Sequence, residues 1–273
     1  MIPKIIHYCW FGKGLMPKSQ RDCIKGWQKL MPDYTIMRWD ESTFDYNKYK
    51  ASKYAYQTKK YALVSDVCRY NVLAEYGGIY LDTDVELFKR LDPYLNCNFF
   101  SAIELFLDEY QREGVEQVDS EGNPLVPGTE IPNFEMLTST LACVPNQEMI
   151  VSLRDFYNSI DANEEYAANY RLYVDNDRLV AKYAAERGFR YVNKTQTFGD
   201  NMVVYGTGIF GYKSCPDNKF EVSYHHNAAT WRNWNEITKS ERRRQLFDKL
   251  GLLPIYDKYK AWKKKIKGIL VRK

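Results

Sequence analysis

Glu75-Tyr76-Gly77-Gly78-Ile79-Tyr80-Leu81-Asp82-Thr83-Asp84-Val85-Glu86 is the stretch whose reading decides the fold. Upstream of it, Lys60, Leu63, Val64, Val67, Tyr70, Leu73 and Ala74 recur at helical spacing. That helix stops at Gly77-Gly78, where a positive φ carries little steric cost. Ile79-Tyr80-Leu81 then reads as a short buried strand, and two carboxylates arrive at its end, one residue apart. Ligands of α/β sheets bind beyond the carboxyl ends of the strands. Two acids at such an end repel unless a positive charge sits between them, and a hard divalent cation that also binds a diphosphate meets that need.

An Asp-x-Asp by itself is weak, because Asp fills turns and caps freely. The chain holds a second one, Asp175-Asn176-Asp177, which reads as the cap of the helix that follows. What distinguishes the first is its setting of helix, paired glycine and apolar strand. Upstream in that helix, Asp66 and Arg69 stand at i and i+3 and share a face. They read either as a surface ion pair or as ligand contacts feeding the strand that follows.

Working outward, Ile2 to Trp10 reads as a strand with Phe11-Gly12-Lys13-Gly14 as its exit turn. Trp10 is either a core aromatic or a platform for a nucleotide base. Cys23 to Leu30 is expected as a helix and Tyr34 to Trp39 as a second strand. This alternation is that of a nucleotide-binding α/β half. Further strands are expected at Cys97 to Glu104, Met136 to Val144, Arg190 to Thr197 and Gly208 to Tyr212, with helices at Gln147 to Tyr157 and Arg178 to Arg187. Leu107 to Phe134 is long, acidic and rich in Gly and Pro, and is expected as an acceptor-side insertion loop.

Composition narrows the class. At 273 residues with 45% hydrophobic content, the chain can bury a full core of one generous domain. Its six cysteines contain no Cys-x-x-Cys, so neither a zinc site nor a disulfide scaffold is indicated. Met1-Ile2-Pro3-Lys4 does not read as a signal peptide, and a reducing, cytosolic setting is expected. From Lys239 onward 13 basic residues face three acidic ones, a net +10, while the preceding part carries −6. A basic tail on an acidic body points to an anionic surface met by the C-terminus.

Together, Ile2-Pro3-Lys4-Ile5-Ile6-His7 with Trp10-Phe11-Gly12, Pro32-Asp33-Tyr34 with Trp39-Asp40-Glu41, Ser65-Asp66 with Arg69-Tyr70, and Gly77 through Asp84 resemble glycosyltransferase family 32. These are the Asp-x-Asp sugar transferases of bacterial capsule and polysaccharide synthesis and of fungal mannosyl transfer, and the family is similar more remotely to the glucosyltransferase domains of large clostridial toxins. The match covers about the first hundred residues. The resemblance implies a GT-A fold, a Rossmann-like mixed α/β sheet flanked by helices, spanning 1–235, with basic helices at 236–273. It implies a UDP- or GDP-sugar donor, Mn²⁺ or Mg²⁺, a glycan or lipid-linked acceptor, and retention at the anomeric carbon. Carried over, Trp10 stacks on the base, Asp66 and Arg69 hold the donor sugar and its phosphate side, and Tyr80 lines the pocket. Asp84 ligates the metal directly, and Asp82 touches the ribose or reaches the ion through water. Ser223-Tyr224-His225-His226 through Thr230-Trp231 is similar to the family's closing segment and places His226 and Trp231 near the metal and diphosphate. Glu86 and Glu104 lie nearby, but no enzymic nucleophile is assigned.

Two other readings stay open: a phosphatase with Asp82 as nucleophile and Asp84 as acid–base, and a non-catalytic sugar- or membrane-binding protein. Beyond Pro254, Tyr256, Tyr259, Trp262, Ile266, Ile269 and Leu270 fall on one stripe with lysines around it. This is the composition of a surface-lying amphipathic helix, a peripheral anchor on the inner face of the cytoplasmic membrane. Nucleic acid is not expected as a partner, because it would leave that apolar stripe without one.

Overall fold

The computed structural model describes residues 1–162, 175–211, 220–228, 239–252, 255–256 and 258–259. In chain order its main elements are β1 (Ile5–Cys9), α1 (Lys18–Leu30), β2 (Thr35–Trp39), α2 (Lys50–Gln57), α3 (Tyr61–Tyr76), β3 (Gly78–Leu81), β4 (Val85–Leu87) and β5 (Phe99–Leu105). There follow α4 (Leu107–Glu113), β6 (Phe134–Met136), β7 (Thr140–Cys143), α5 (Glu148–Ser159), α6 (Asn176–Ala185), β8 (Gln196–Phe198), β9 (Met202–Tyr205), β10 (Phe210–Gly211), β11 (Ser223–His225) and α7 (Lys239–Lys249).

The main sheet is mixed and runs β2-β1-β3-β7-β5-β9-β8, with β6 on β5; a small sheet runs β10-β11-β4. β1 pairs in parallel with both β2 and β3, so three strand ends open on the same edge. Period-two alternation splits β3 between two cores. Ile79 and Leu81 join Ile24 and Trp27 of α1, while Tyr80 joins Val67 and Leu73 of α3, Leu153 of α5 and Val180 of α6. Helices therefore cover both faces, which is why β3 is apolar without interruption.

The turn from α3 into β3 is the tightest joint of the fold. Gly77 and Gly78 both have positive φ, +63° and +95°. A Cβ on Gly78 would sit 2.7 Å from the Ile5 carbonyl oxygen, so only glycine lets β3 lie this close to β1. His7, fully buried on β1, locks the joint. Trp39 Nε1 donates to its Nδ1 at 3.1 Å, which leaves Nε2–H to donate to the Gly77 carbonyl at 2.8 Å. One neutral imidazole thus ties β1, β2 and the helix–strand turn together.

Several expectations are revised. Met136 to Val144 is two strands, because the chain turns at Leu137–Ser139 and pairs first with β5 and then with β3. Residues 107–134 are no open loop: α4, a 3₁₀ turn and the Asp119–Asn123 turn fold against the core through Tyr110, Ile131 and Phe134. Arg190 to Thr197 contributes a strand only at its end, and β8 and β9 form a hairpin across Gly199–Asn201. The C-terminal stripe is split: Tyr256 is buried against Phe247, with ring centroids 5.1 Å apart, while Tyr259 is exposed. Trp262, Ile266, Ile269 and Leu270 lie outside the described residues. Helix α7 is docked on the body: Asp248 accepts from Ser19 N at 3.2 Å and Ser19 Oγ at 2.6 Å, placing an anion at the start of α1.

Burial lowers the His7 pKa to about 4 from the 6.5 of a free imidazole, while the Gly77 carbonyl acts in the opposite sense. The unfolded chain therefore takes up this proton first as pH falls. The contribution of neutral His7 is complete above about pH 6.5 and is lost progressively down to about pH 4, a total of roughly 3 kcal/mol. Denaturant titrations between pH 7 and 4 should show that loss, and a His7→Gln chain should show a correspondingly flatter profile over the same window.

Candidate active site

Arg69 lies in the last turns of α3, side chain 5% exposed, with its guanidinium carbon 4.2 Å from the Tyr80 ring centroid. Its Nη2 reaches Asp82 Oδ1 at 3.2 Å and Asp66 Oδ1 at 3.5 Å. A buried guanidinium is tolerated only beside such partners. Burial works against its charge, but Tyr80, Asp82 and Asp66 outweigh it and hold the pKa above the ordinary arginine value. Its Nε and Nη1 are buried and have no hydrogen-bond partner among the described residues. Three N–H groups of a fixed planar fork, one on Nε and two on Nη1, therefore lack an oxygen partner there.

Past β3 the chain makes a tight turn. Asp82 N donates to Ser139 O at 2.9 Å, and Val85 N donates to Asp82 O at 3.0 Å. This leaves the Asp82 side chain 30% exposed and turns Asp84 inward. Asp84 Oδ2 accepts from Ala228 N at 2.6 Å, and its Oδ1 lies 3.3 Å from His225 Nε2. His225 Nε2 is also 3.8 Å from Asp82 Oδ2. Ligand atoms of Asp82, Asp84 and His225 all fall within 4.8 Å of one another. Burial disfavours charge on both Asp84 and His225, yet their mutual contact prevails, lowering the Asp84 pKa and raising that of His225. Two carboxylates and an imidazole are a donor set that could hold a divalent cation.

The histidine is not the expected one. His226 turns outward and its Nε2 pairs with Glu86 Oε2 at 2.9 Å, while His225 meets the carboxylates. Strand register decides this: β11 pairs antiparallel with β4, and His225 stands opposite Val85, next to Asp84. Trp231 lies outside the described residues. Trp10 is half-buried just after β1, with its Nε1 donating to Gly14 O at 2.7 Å, so the exit turn fixes the indole.

Asp175-Asn176-Asp177 supplies a wall of the site. Asp175 occupies the cap position of α6 but makes no capping bond with its side chain. Asn176 Nδ2 donates instead to Asp66 Oδ1 at 3.1 Å, and its Oδ1 accepts from Tyr70 and Tyr157. Asp177 Oδ1 accepts from Thr138 N at 2.9 Å and Oγ1 at 2.5 Å. Asp66 is thus oriented from two sides, by Arg69 and by Asn176.

Residues 17–100 match the family described as "Glycosyltransferase sugar-binding region containing DXD motif". This part of the chain is similar to that family. The chain is 39% identical over 102 residues to inositol phosphoceramide mannosyltransferase 3 of Schizosaccharomyces pombe, covering 35% of this chain and 28% of that protein. It is 35% identical over 107 residues to mannosyl phosphorylinositol ceramide synthase CSH1 of Saccharomyces cerevisiae, covering 37% and 27%. The matches therefore span little more than a quarter of these relatives' length. Among solved structures, the PaToxG glycosyltransferase is similar at 16% identity with a TM-score of 0.40, covering 68% of this chain and 67% of that one. The DXD region holds Asp66, Arg69, Tyr80, Asp82 and Asp84; His225, Asn176 and Asp177 come from beyond it.

Arg69→Lys should lower stability by about 2 kcal/mol, because a compact ammonium cannot both stack on Tyr80 and bridge two carboxylates. Chemical denaturation measures the loss, and an Arg69→Lys chain as stable as the parent would remove Arg69 from the centre of this arrangement.

Proposed function

We propose that the chain is a glycosyltransferase of GT-A type that moves a sugar from a UDP- or GDP-sugar to a lipid-linked glycan acceptor. The observation that carries this reading is the buried Arg69 fork beside the Asp82–Asp84 pair, with the N–H groups of Nε and Nη1 unspent. In this reading Arg69 binds oxygens on the phosphate side of the donor sugar, Asp66 accepts from its hydroxyls, and Tyr80 closes the pocket floor. Asp82, Asp84 and His225 hold Mn²⁺ or Mg²⁺, which when bound neutralises the leaving diphosphate. Trp10, braced by Gly14, stacks on the base. No protein carboxylate is assigned as nucleophile, and retention is ascribed to attack on the face from which the diphosphate departs.

The names of the two fungal relatives, transferases of mannose to inositol phosphoceramide, support an acceptor carried on a membrane lipid. The basic C-terminal segment fits such a setting. Leu246, Leu250, Leu252, Ile255 and Tyr259 are exposed beside Arg242, Arg243 and Arg244, the pairing of apolar and basic groups that an anionic bilayer surface attracts. The enzyme would then work at the inner face of the cytoplasmic membrane.

A melting screen of UDP and GDP with and without Mn²⁺ should show one nucleoside diphosphate stabilising the chain only with the ion, by about 2.7 kcal/mol at a hundredfold excess over Kd. Asp84→Ala should abolish the ion dependence. Trp10→Ala should raise the donor KM about 5- to 150-fold, the value of one stacked base. Stabilisation by neither nucleotide, together with turnover of simple phosphate esters, would replace this reading with the phosphatase one.

A further inference from the structure

A second group of acids lies behind Asn176. Glu104 of β5 and Glu135 of β6 stand directly opposite in an antiparallel register, an arrangement that like charges destabilise. Asp177, at the start of α6, joins them, and carboxylate oxygens of the three lie within 4.8 Å of one another. Glu104 and Glu135 are each only 6% exposed. Asp175 adds a fourth acid at the rim, and the cation facing them is Arg178, which meets Glu135 Oε1 at 2.9 Å and Asp175 Oδ2 at 3.4 Å. Asp177 spends one oxygen on Thr138. Glu104 is different: its buried carboxylate points into this cluster and has neither a hydrogen bond nor an ion pair among the described residues. An acceptor so placed keeps little contact with water and has no hydrogen bond in exchange among the described residues.

We propose that Glu104, Glu135 and Asp177 bind a divalent cation of the Ca²⁺, Mg²⁺ or Mn²⁺ class, at a site separate from Asp82 and Asp84. Among the described residues four acids face one guanidinium, and Glu104, Glu135 and Asp177 offer only oxygen, the donor that hard cations take. Burial and mutual repulsion push the Glu104 pKa well up and that of Glu135 to about 7, so protons compete with the ion. An ion here ties β5, β6 and the start of α6 into one unit. It thereby fixes Asn176, which orients Asp66. The inference concerns the wall of the donor site and does not depend on which sugar is transferred.

The test uses the 273-residue chain, stripped with chelator and titrated with Mn²⁺ alone near pH 7.5, with free ion read by electron paramagnetic resonance. Two ions per chain are expected for the native sequence, one for D82N/D84N and one for E104Q/E135Q. No ion in D82N/D84N, or two in E104Q/E135Q, overturns the site and leaves the acids as a proton-sharing cluster. A native chain that binds one ion, loses it in D82N/D84N and keeps it in E104Q/E135Q overturns this inference while supporting the donor-site reading. Melting with added Ca²⁺ gives a second readout: the Tm of D82N/D84N should rise, and that of E104Q/E135Q should rise less than that of the native chain. Should E104Q/E135Q fail to fold, D82N/D84N decides by itself, with one ion supporting the site and none overturning it.

Discussion

A buried positive charge is the constraint from which the arrangement follows. Arg69 has almost no contact with water, and replacing that water takes anions close by on more than one side. Asp66 comes from the same helix one turn earlier, at a cost of no more than α-helical spacing. Asp82 must come from elsewhere, and the chain delivers it by ending α3 at Gly77, crossing a turn that only glycine allows, and laying down four residues of β3. Tyr80, on the same strand face, offers its ring to the guanidinium plane. His7 holds the joint from beneath, so the position of Asp82 relative to Arg69 is set by a hydrogen bond to Gly77 rather than by the acids themselves.

The two acidic groups share a problem and differ in how it is relieved. At the strand end, Asp82 and Asp84 have Arg69 on one side and His225 on the other. At the β5–β6 edge, the acids meet Arg178, itself partly in solvent. Asn176 and Asp177, adjacent on α6, connect the groups: the first donates to Asp66, and the second stands with Glu104 and Glu135. Asp177 also acts at longer range, its charge favouring the protonated form of His225. Removing charge from one group is thus felt at the other, through both a hydrogen-bonded link and the field.

What could be read from the sequence is what is local in it. The helix ending at a glycine pair, the apolar strand and the sharing of a face by Asp66 and Arg69 are patterns within fifteen or so residues, and the structure has them. The choice between His225 and His226 was not local. It depends on a strand pairing 140 residues away in which a one-residue shift exchanges inside for outside. Asp175-Asn176-Asp177 misled for a related reason. Its residue types suit a helix cap, but Thr138 and Asp66 offered better partners than the helix's own N–H groups. The β8–β9 hairpin did leave a signal, Gly199-Asp200-Asn201 ahead of the apolar Met202-Val203-Val204, which the reading of a strand from Arg190 to Thr197 passed over. Glu104 and Glu135 could be brought together only by knowing that β6 folds back on β5.

The boundary of the family match then acquires a physical meaning. The matched residues carry the fork and the carboxylate pair, yet within the sheet β3 is flanked by β1 on one side and by β7 on the other. Four residue pairs join β3 to β7, and the Ser139 carbonyl receives the N–H of Asp82 itself. Without β7 the strand bearing the Asp-x-Asp is an unpaired edge, and the turn that points Asp82 outward loses its anchor. The region that matches the family therefore depends on residues outside it for its geometry. The residues that complete it, Thr138, Ser139, Asn176 and His225, lie outside the matched range, and they act on it through hydrogen bonds and charge rather than through sequence proximity.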